Sequence, residues 1–490
     1  MNERLILVLD EGTTSTRAIL YAPDGTRHGV AQRELTQHYP RPGWVEHDAD
    51  EIWRMTLACA VEMVETAGGA DNIAAIGITN QRETVVAWDK STGEPITRAI
   101  VWQDRRTADQ CRALVEAGHE PLVQTRTGLV IDPYFSATKM RWILDNVAEA
   151  RAIGGALAFG TIESWLVWKL TGGAHLTDAS NASRTQLLAL DGRSWDEELC
   201  ALMDVPRAAL PEIVDMAGTF GSTDPDHFGG PIPICGLAGD QQSATIGQAC
   251  FDVGDTKGTF GTGAFVLTNM GTQLPRSQHR LLGTVLLQLA GQRQYALEGS
   301  VFVAGSLVKW LRDQLDWIDR AADTETIARA TPDNGGVYVL PALAGLGAPH
   351  WRPDATGAIL GLTLGTTREQ IVRAAMESLA HQCHDLMEAF AADGAAWQSL
   401  RIDGGMSAND WMAQDLADML DLPVERPEDV ETTALGAAML AGLGAGLFAS
   451  LEEAATMRPA RRRFTPAIAP EDRTRRLAGW HTMLARQLAV

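Results

Sequence analysis

Cysteine is scarce in this chain. Six are scattered over 490 residues, at 59, 111, 200, 235, 250 and 383, with no Cys-x-x-Cys pair. That argues against a disulfide framework and fits a reducing, cytoplasmic compartment. Positive charge is also in short supply. A formal net charge of -21 argues against general binding to nucleic acid or to an anionic membrane surface. The one local basic run, Arg458 to Phe464, reads as solvated or subunit-facing. Only the five apolar residues Leu5 to Leu9 precede Asp10, too few for a secretory signal. The longest uncharged stretch, Thr432 to Leu451, approaches membrane-spanning length. It is rich in Ala and Gly, and Gly442, Gly444 and Gly446 weaken its second half as a helix. It predicts a buried helix followed by a loop, with no membrane insertion. Two nucleotide motifs are absent as well. No Gly-x-x-x-x-Gly-Lys-Ser/Thr occurs, and no Gly-x-Gly-x-x-Gly follows a strand.

What is present is an ordinary globular composition, 45% hydrophobic, on a chain long enough for two domains. One arrangement occurs twice. Leu5 to Leu20 reads as strand, Gly-Thr turn, strand, and Asp255 to Asn269 reads the same way. An amphipathic helix and a short strand follow each hairpin. The first helix opens at Asp48, with Glu51 three residues on in a capping-box pattern, and leads into Ile73 to Thr79. The second runs from Arg368 to Ala392 and leads into Ser399 to Gly405. Strands and helices mix throughout, which indicates α/β layers. The duplication predicts two similar α/β domains, residues 1–250 and 251–490, facing a ligand-binding cleft.

The motifs converge on phosphate and hydroxyl chemistry. Backbone N–H groups of Gly-Thr turns can point at phosphate oxygens, and threonine hydroxyls add donors. Gly12-Thr13 and Gly261-Thr262, one per half, could hold a polyphosphate from both sides. Asp240 follows an apolar strand among small residues, where it can cap the next helix, carry chemistry, or do both. Gly404-Gly405, between a strand and a helix, suits close approach of a base or a phosphate. Arg82-Glu83 lies between two apolar segments. It is either a surface hairpin ion pair or an inward pair that a hydroxyl-rich ligand would satisfy. His381 to His384, "HQCH", has no third metal ligand at useful spacing and reads as ordinary helix histidines.

Several stretches together resemble the glycerol kinase branch of the FGGY carbohydrate kinase family. Tyr134 to Trp142 resembles the first family signature, and "GAILGLTLGTTREQIVRAAMES" the second. "PGWVEHD", "GITNQRET", "IVWQDRRT", "TGLVIDPYFS", "NASRT", "GDQQ" and "FGTGAF" resemble that branch more specifically, and the likeness runs from Leu5 to about Arg463. The resemblance implies two duplicated ribonuclease H-like domains, the fold shared with actin and heat-shock chaperones. It implies ATP-dependent phosphorylation of glycerol to sn-glycerol 3-phosphate, with Mg²⁺, in a homo-oligomer (dimer or tetramer). By position, Arg82, Glu83, Tyr134 and Asp240 would hold the glycerol hydroxyls. Gln241 would add a contact, and Trp102 and Phe265 would wall the carbon skeleton. Thr13, Thr14, Ser15 and Arg17 would form the first phosphate loop. Thr262, Gly305, Lys309, Gly405 and Asn409 would contact the nucleotide. Asp10 and Asp240 would flank Mg²⁺, with Asp240 as general base. Two other readings are a kinase of another polyol or sugar and an actin- or chaperone-like ATP-driven binding protein. ADP release that ignores glycerol would mark the latter.

The chain departs from the family pattern in three places. Glu11 stands where Gln is usual, which would place a negative charge beside phosphate. Lys309 replaces a Gln near the adenine. Members inhibited by fructose 1,6-bisphosphate carry an arginine where this chain has Gly230-Pro231-Ile232. A bisphosphate needs cationic partners, and proline removes a backbone donor. Kinase activity should therefore be unchanged by millimolar fructose 1,6-bisphosphate in a titration at fixed ATP. Saturable inhibition not competitive with ATP would contradict this.

Overall fold

Leu5 to Glu11 is buried along almost its whole length because both faces of the strand it forms are covered. In the computed structural model, which describes residues 4–352, 354–458 and 460–489, this strand opens a five-stranded sheet. We name its strands β1 (Leu5–Glu11), β2 (Ser15–Tyr21), β3 (Arg27–Glu34), β4 (Ile73–Asn80) and β5 (Ile234–Gly239). The spatial order is β5-β4-β1-β2-β3. β1, β2 and β3 form an antiparallel meander, while β4 and β5 add parallel to β1. Helix α1 (Ala49–Thr66) makes the crossover and buries Ile52, Cys59, Ala60 and Met63 against the sheet. Its N-cap is Asp48, whose side chain accepts from the N–H groups of Asp50 and Glu51. The capping box is only half formed, because the Glu51 carboxylate accepts instead from Thr36.

The second half repeats the scheme with strands added at both edges. Its strands are β6 (Asp255–Phe260), β7 (Ala264–Gly271), β8 (Leu282–Leu289), β9 (Gln292–Val301), β10 (Ser399–Asp403), β11 (Val424–Pro427) and β12 (Arg461–Phe464). They run in the order β8-β9-β7-β6-β10-β11-β12. β6 pairs antiparallel with β7 and parallel with β10, as β1 does with β2 and β4. The duplication expected from sequence is present in the registers.

Two helices join the halves. Helix α2 (Asp240–Gly247) leaves β5, and a later helix, Thr432–Gly444, crosses back to pack against it. We label α3 (Gly305–Asp313), α4 (Arg368–Ala392), α5 (Asp410–Leu420), α6 (Thr432–Gly444) and α7 (Pro470–Leu488). Helix α6 is the uncharged stretch noted above, and it packs on β5, β4 and β1 of the first sheet. A Cβ on Gly436 would lie 1.8 Å from the carbonyl O of Ser243, and one on Gly247 2.0 Å from that of Thr432. Only glycine lets α2 and α6 approach so closely. Residues 81–233 form an insertion between β4 and β5 with its own core around Phe159, Leu187 and Trp195. Among the described residues no helix is long and apolar enough to cross a membrane. All six cysteines are buried and free.

Glu11 overturns a sequence expectation. Alternation along β1 sends adjacent side chains to opposite faces. Asp10 turns to the cleft, and Glu11 turns beneath α1, where it is fully buried and accepts from Thr56 Oγ1 at 2.8 Å. It puts no charge beside the phosphate loop. Burial pushes its carboxyl from an ordinary 4.5 up to about 8, so it is neutral near pH 7. A carboxyl with a raised folded pKa contributes stability that is complete below the unfolded value and lost as pH rises through the folded one. Glu11→Gln should therefore match the parent in thermal stability near pH 4.5. It should become progressively more stable than the parent up to pH 8, by of order a few kcal/mol. Melting curves across that range, without metal or nucleotide, test this; a pH-independent difference would contradict it.

Candidate active site

Arg82 lies two residues past the end of β4 and is 3% exposed, so its guanidinium must find partners inside the protein. It finds Glu298 on β9 of the other half, with Nη1 to Oε2 at 2.6 Å and Nη2 to Oε1 at 3.2 Å. Its Nε lies 3.2 Å from Asp240 Oδ1. Arg184, fully buried, donates to Glu298 Oε1 at 3.0 Å and to Glu83 Oε1 at 2.6 Å. Two arginines and two glutamates thus form one buried network across the halves. Burial alone would push the Glu298 carboxyl up, but Arg184 and Arg82 override it and hold it down at about 2. Burial raises the Glu83 carboxyl despite the same two arginines.

Glu83 also carries backbone strain. Its φ is 63°, a left-handed conformation that a non-glycine residue seldom adopts and that costs roughly 1–3 kcal/mol. The Ser136 hydroxyl donates to its carbonyl at 3.0 Å and helps to hold it. The surface-hairpin reading of Arg82-Glu83 is therefore wrong: both face inward, each with a separate partner.

The aromatic residues gather at the same place. Trp102 lies edge-on to Tyr134, with centroids 5.6 Å apart, and to Phe265 of β7, at 6.5 Å. Lys139, buried in the helix Ser136–Asn146, donates to the carbonyls of Pro133, Tyr134 and Phe135 at 2.5, 2.7 and 3.1 Å. That fixes the turn carrying Tyr134. Burial lowers the Lys139 ammonium to about 8.

Asp240 opens α2 with Gly239 as the N-cap, so the aspartate is the first helical residue and not the cap. Its Oδ1 accepts from Gln241 N–H at 2.7 Å and also faces Arg82. The carboxylate is 34% exposed, the most open acid of this group. Gln241 is spoken for: its Oε1 accepts from buried Lys257 Nζ at 2.7 Å.

The β1–β2 turn carries the residues expected to form a phosphate loop. Thr13 Oγ1 accepts from Trp102 Nε1 at 3.0 Å, which ties this loop to the aromatic wall. Thr14 is exposed and Ser15 half-buried. Arg17 pairs with Asp10 across the hairpin and with Glu431, before α6, at 2.6 Å. Its guanidinium is thus shared between two carboxylates. Burial raises the Asp10 carboxyl although Arg17 opposes it, and nearby Glu431 and Asp240 push it further.

The second loop is shaped by glycine. The N–H of Gly305 donates to Gly261 O at 2.8 Å, and a Cβ on Gly305 would come within 2.6 Å of that oxygen. Thr262 O accepts from Ala304 N–H and Ser306. Gly404, with φ 85°, passes so close to Phe260 that a Cβ would lie 2.6 Å from its carbonyl O, whereas one on Gly405 would meet nothing within 4 Å. Asn409 caps α5 by accepting from Met412 N–H at 3.0 Å, and its amide N–H donates to Thr324. Lys309 is exposed on α3.

Residues 5–247 match the N-terminal domain, and residues 257–445 the C-terminal domain, of the FGGY family of carbohydrate kinases. The chain belongs to this family. It is 54% identical to a glycerol kinase of Methylobacterium nodulans over 97% of each chain. It is 53% identical to one of Rhodospirillum centenum over 99% of each. Among solved structures it is similar to a Plasmodium falciparum glycerol kinase with ADP, at 35% identity and a TM-score of 0.94, covering 99% of this chain and 98% of that one. A xylulose kinase from Lactobacillus acidophilus shares the fold at 22% identity and a TM-score of 0.90, over 99% of each chain. The duplicated α/β architecture of the family is the one described above.

Sequence reasoning missed Arg184, Glu298, Lys139 and Lys257. A signal existed for two of them. Glu298 interrupts the otherwise apolar and small run "YALEGSV", and Arg184 sits in the quoted "NASRT". Both are charges in contexts that bury them, and a buried charge demands a partner.

Proposed function

We propose that this enzyme transfers the γ-phosphoryl group of ATP to a primary hydroxyl of glycerol, giving sn-glycerol 3-phosphate and ADP. The observation that carries the proposal is the gathering of Trp102, Tyr134 and Phe265 next to the buried Arg82–Glu298–Arg184–Glu83 network and the Asp240 carboxylate. Arg82, Glu83 and Asp240 would bring both donors and acceptors to a short polyol. More than half of the residues are identical to those of proteins named glycerol kinase, along nearly the full chain. A binding protein driven by ATP would have no use for this grouping of aromatic rings and charged side chains.

In this reading the aromatic rings flank the carbon skeleton, and the Arg82–Glu83 pair and Tyr134 bind the hydroxyls. The Asp240 carboxylate takes the hydroxyl proton as the oxygen–phosphorus bond forms and the bond to the β-phosphate oxygen breaks. Oδ1 is held by Arg82 and the Gln241 N–H, which orients the carboxylate for that task. Thr13, Thr14 and Ser15 cradle phosphate from one half, and Thr262 and Gly305 from the other. Gly405, bare on its cleft side, and Asn409 border the adenosine. Positioning and electrostatics do most of the work in such a transfer.

Asp10 and Asp240 suit Mg²⁺. They offer hard carboxylate oxygens, and Asp240 is among the groups that raise the Asp10 carboxyl, a repulsion that a divalent cation relieves. When bound, Mg²⁺ would neutralise charge on the phosphates. The reading places the enzyme in the cytoplasm as a homo-oligomer, with the glycerol site in residues 1–250 and most of the nucleotide site in 251–490.

Asp240→Asn tests the assignment. Asn is nearly isosteric and should leave thermal unfolding unchanged, but it cannot take the proton. We expect kcat to fall by ~10²–10⁴, with glycerol still bound more weakly through Arg82, Glu83 and Tyr134. A folded variant that keeps more than about a tenth of the parent kcat would defeat the general-base role.

A further inference from the structure

The histidines that read as ordinary from sequence acquire partners in the fold. Helix α7 lies against α4 and brings His481 to His384, Asp385 and Glu388. One ligand atom from each of the four lies within 4.8 Å of all the others. None of the four belongs to the cleft described above.

We propose that His384, Asp385, Glu388 and His481 form a transition-metal site, suited to Zn²⁺, that clamps the C-terminal helix α7 onto α4. Three observations carry this. The first is spacing. A tetrahedral ion with bonds of about 2.0–2.2 Å separates its ligands by about 3.4 Å. His481 Nε2 and Asp385 Oδ1 are 3.1 Å apart, a hydrogen-bonded contact that a metal would replace, and His384 Nδ1 and Glu388 Oε2 are 4.0 Å apart. Small rotamer adjustments close the rest. The second is an orphan. His384 is 9% exposed, and its Nδ1 is buried with no hydrogen-bond partner while it faces the cluster. A buried imidazole nitrogen without a donor or acceptor is costly, and a metal would satisfy it.

The third is outer support. Metal-binding carboxylates are typically held by further hydrogen bonds. Trp480 Nε1–H donates to Asp385 Oδ2 at 2.8 Å, which fixes the carboxylate with its Oδ1 turned to His481. The donor set also fits the ion. Two imidazoles and two carboxylates match Zn²⁺ better than Mg²⁺ or Ca²⁺, which take oxygen. Two carboxylates against one divalent cation leave no net charge to bury. The neighbouring cations are each paired, Arg473 with Asp421 at 2.5 Å and Arg476 with Asp415 at 2.6 Å, which tempers their repulsion. Glu388 is largely exposed and gives the ion a route in.

The test uses the full chain, stripped of metal and free of nucleotide, with Co²⁺ as a spectroscopic probe and Zn²⁺ in calorimetry. We expect one equivalent of Co²⁺ with the intense visible bands of a four-coordinate site. One equivalent of Zn²⁺ should displace it and raise the Tm. Affinity for Zn²⁺ should fall at least tenfold in His481→Gln and in Glu388→Gln, with glycerol kinase turnover unchanged in both. Glu388 is exposed, so its variant keeps the test valid should His481→Gln fold poorly. No four-coordinate spectrum, or Zn²⁺ affinity unchanged in the folded variants, would overturn the proposal.

Discussion

The Glu298 carboxylate is the group on which the site depends. It sits wholly buried on a strand of the second half and accepts from Arg82 and Arg184 of the first. Burying one carboxylate is expensive, and burying two guanidiniums is more so. The charges are tolerable only together, so the arginines cannot swing elsewhere without leaving Glu298 unpaired. Their fixed positions in turn set the rest. Arg82 holds Asp240 by its Nε, and Arg184 holds Glu83 in a strained backbone conformation.

The arrangement also makes the site a property of both halves. Glu298 of β9 completes the buried ion network, Phe265 of β7 completes the aromatic cluster, and Arg17 ties the β1–β2 hairpin to Glu431 ahead of α6. The glycines at the α2–α6 crossing bring the backbones of the two halves into contact directly behind Asp240. A duplicated fold thus yields an asymmetric cleft. One half carries an insertion that supplies Glu83, Trp102, Tyr134 and Arg184, and the other supplies glycine-rich turns.

Much of this was legible in the residues. Period and turn chemistry marked both hairpins, the crossover helices and the buried helix at Thr432, because those signals are local. Arg82, Glu83, Trp102, Tyr134, Asp240 and Phe265 do converge. Partners that meet only through topology were not legible. Glu298 lies 216 residues from Arg82 and 114 from Arg184, and His481 reaches the His384 cluster from a separate helix. Glu11 was misplaced for a simpler reason. Glu11 is the last residue of the strand, next to Asp10, and alternation turns it to the opposite face. The sharing of Arg17 between two acids, and of Gln241 with Lys257, likewise depends on neighbours supplied by the fold.

The most direct measurement is the steady-state kinetics of Glu298→Gln, with its fold checked by circular dichroism. Glu298 would touch neither glycerol nor ATP, so its effect must come through Arg82 and Arg184. If the network positions the site, kcat/KM for glycerol falls by about 100-fold or more while KM for ATP changes little. A folded variant whose kcat/KM for glycerol stays within about threefold of the parent would contradict the account.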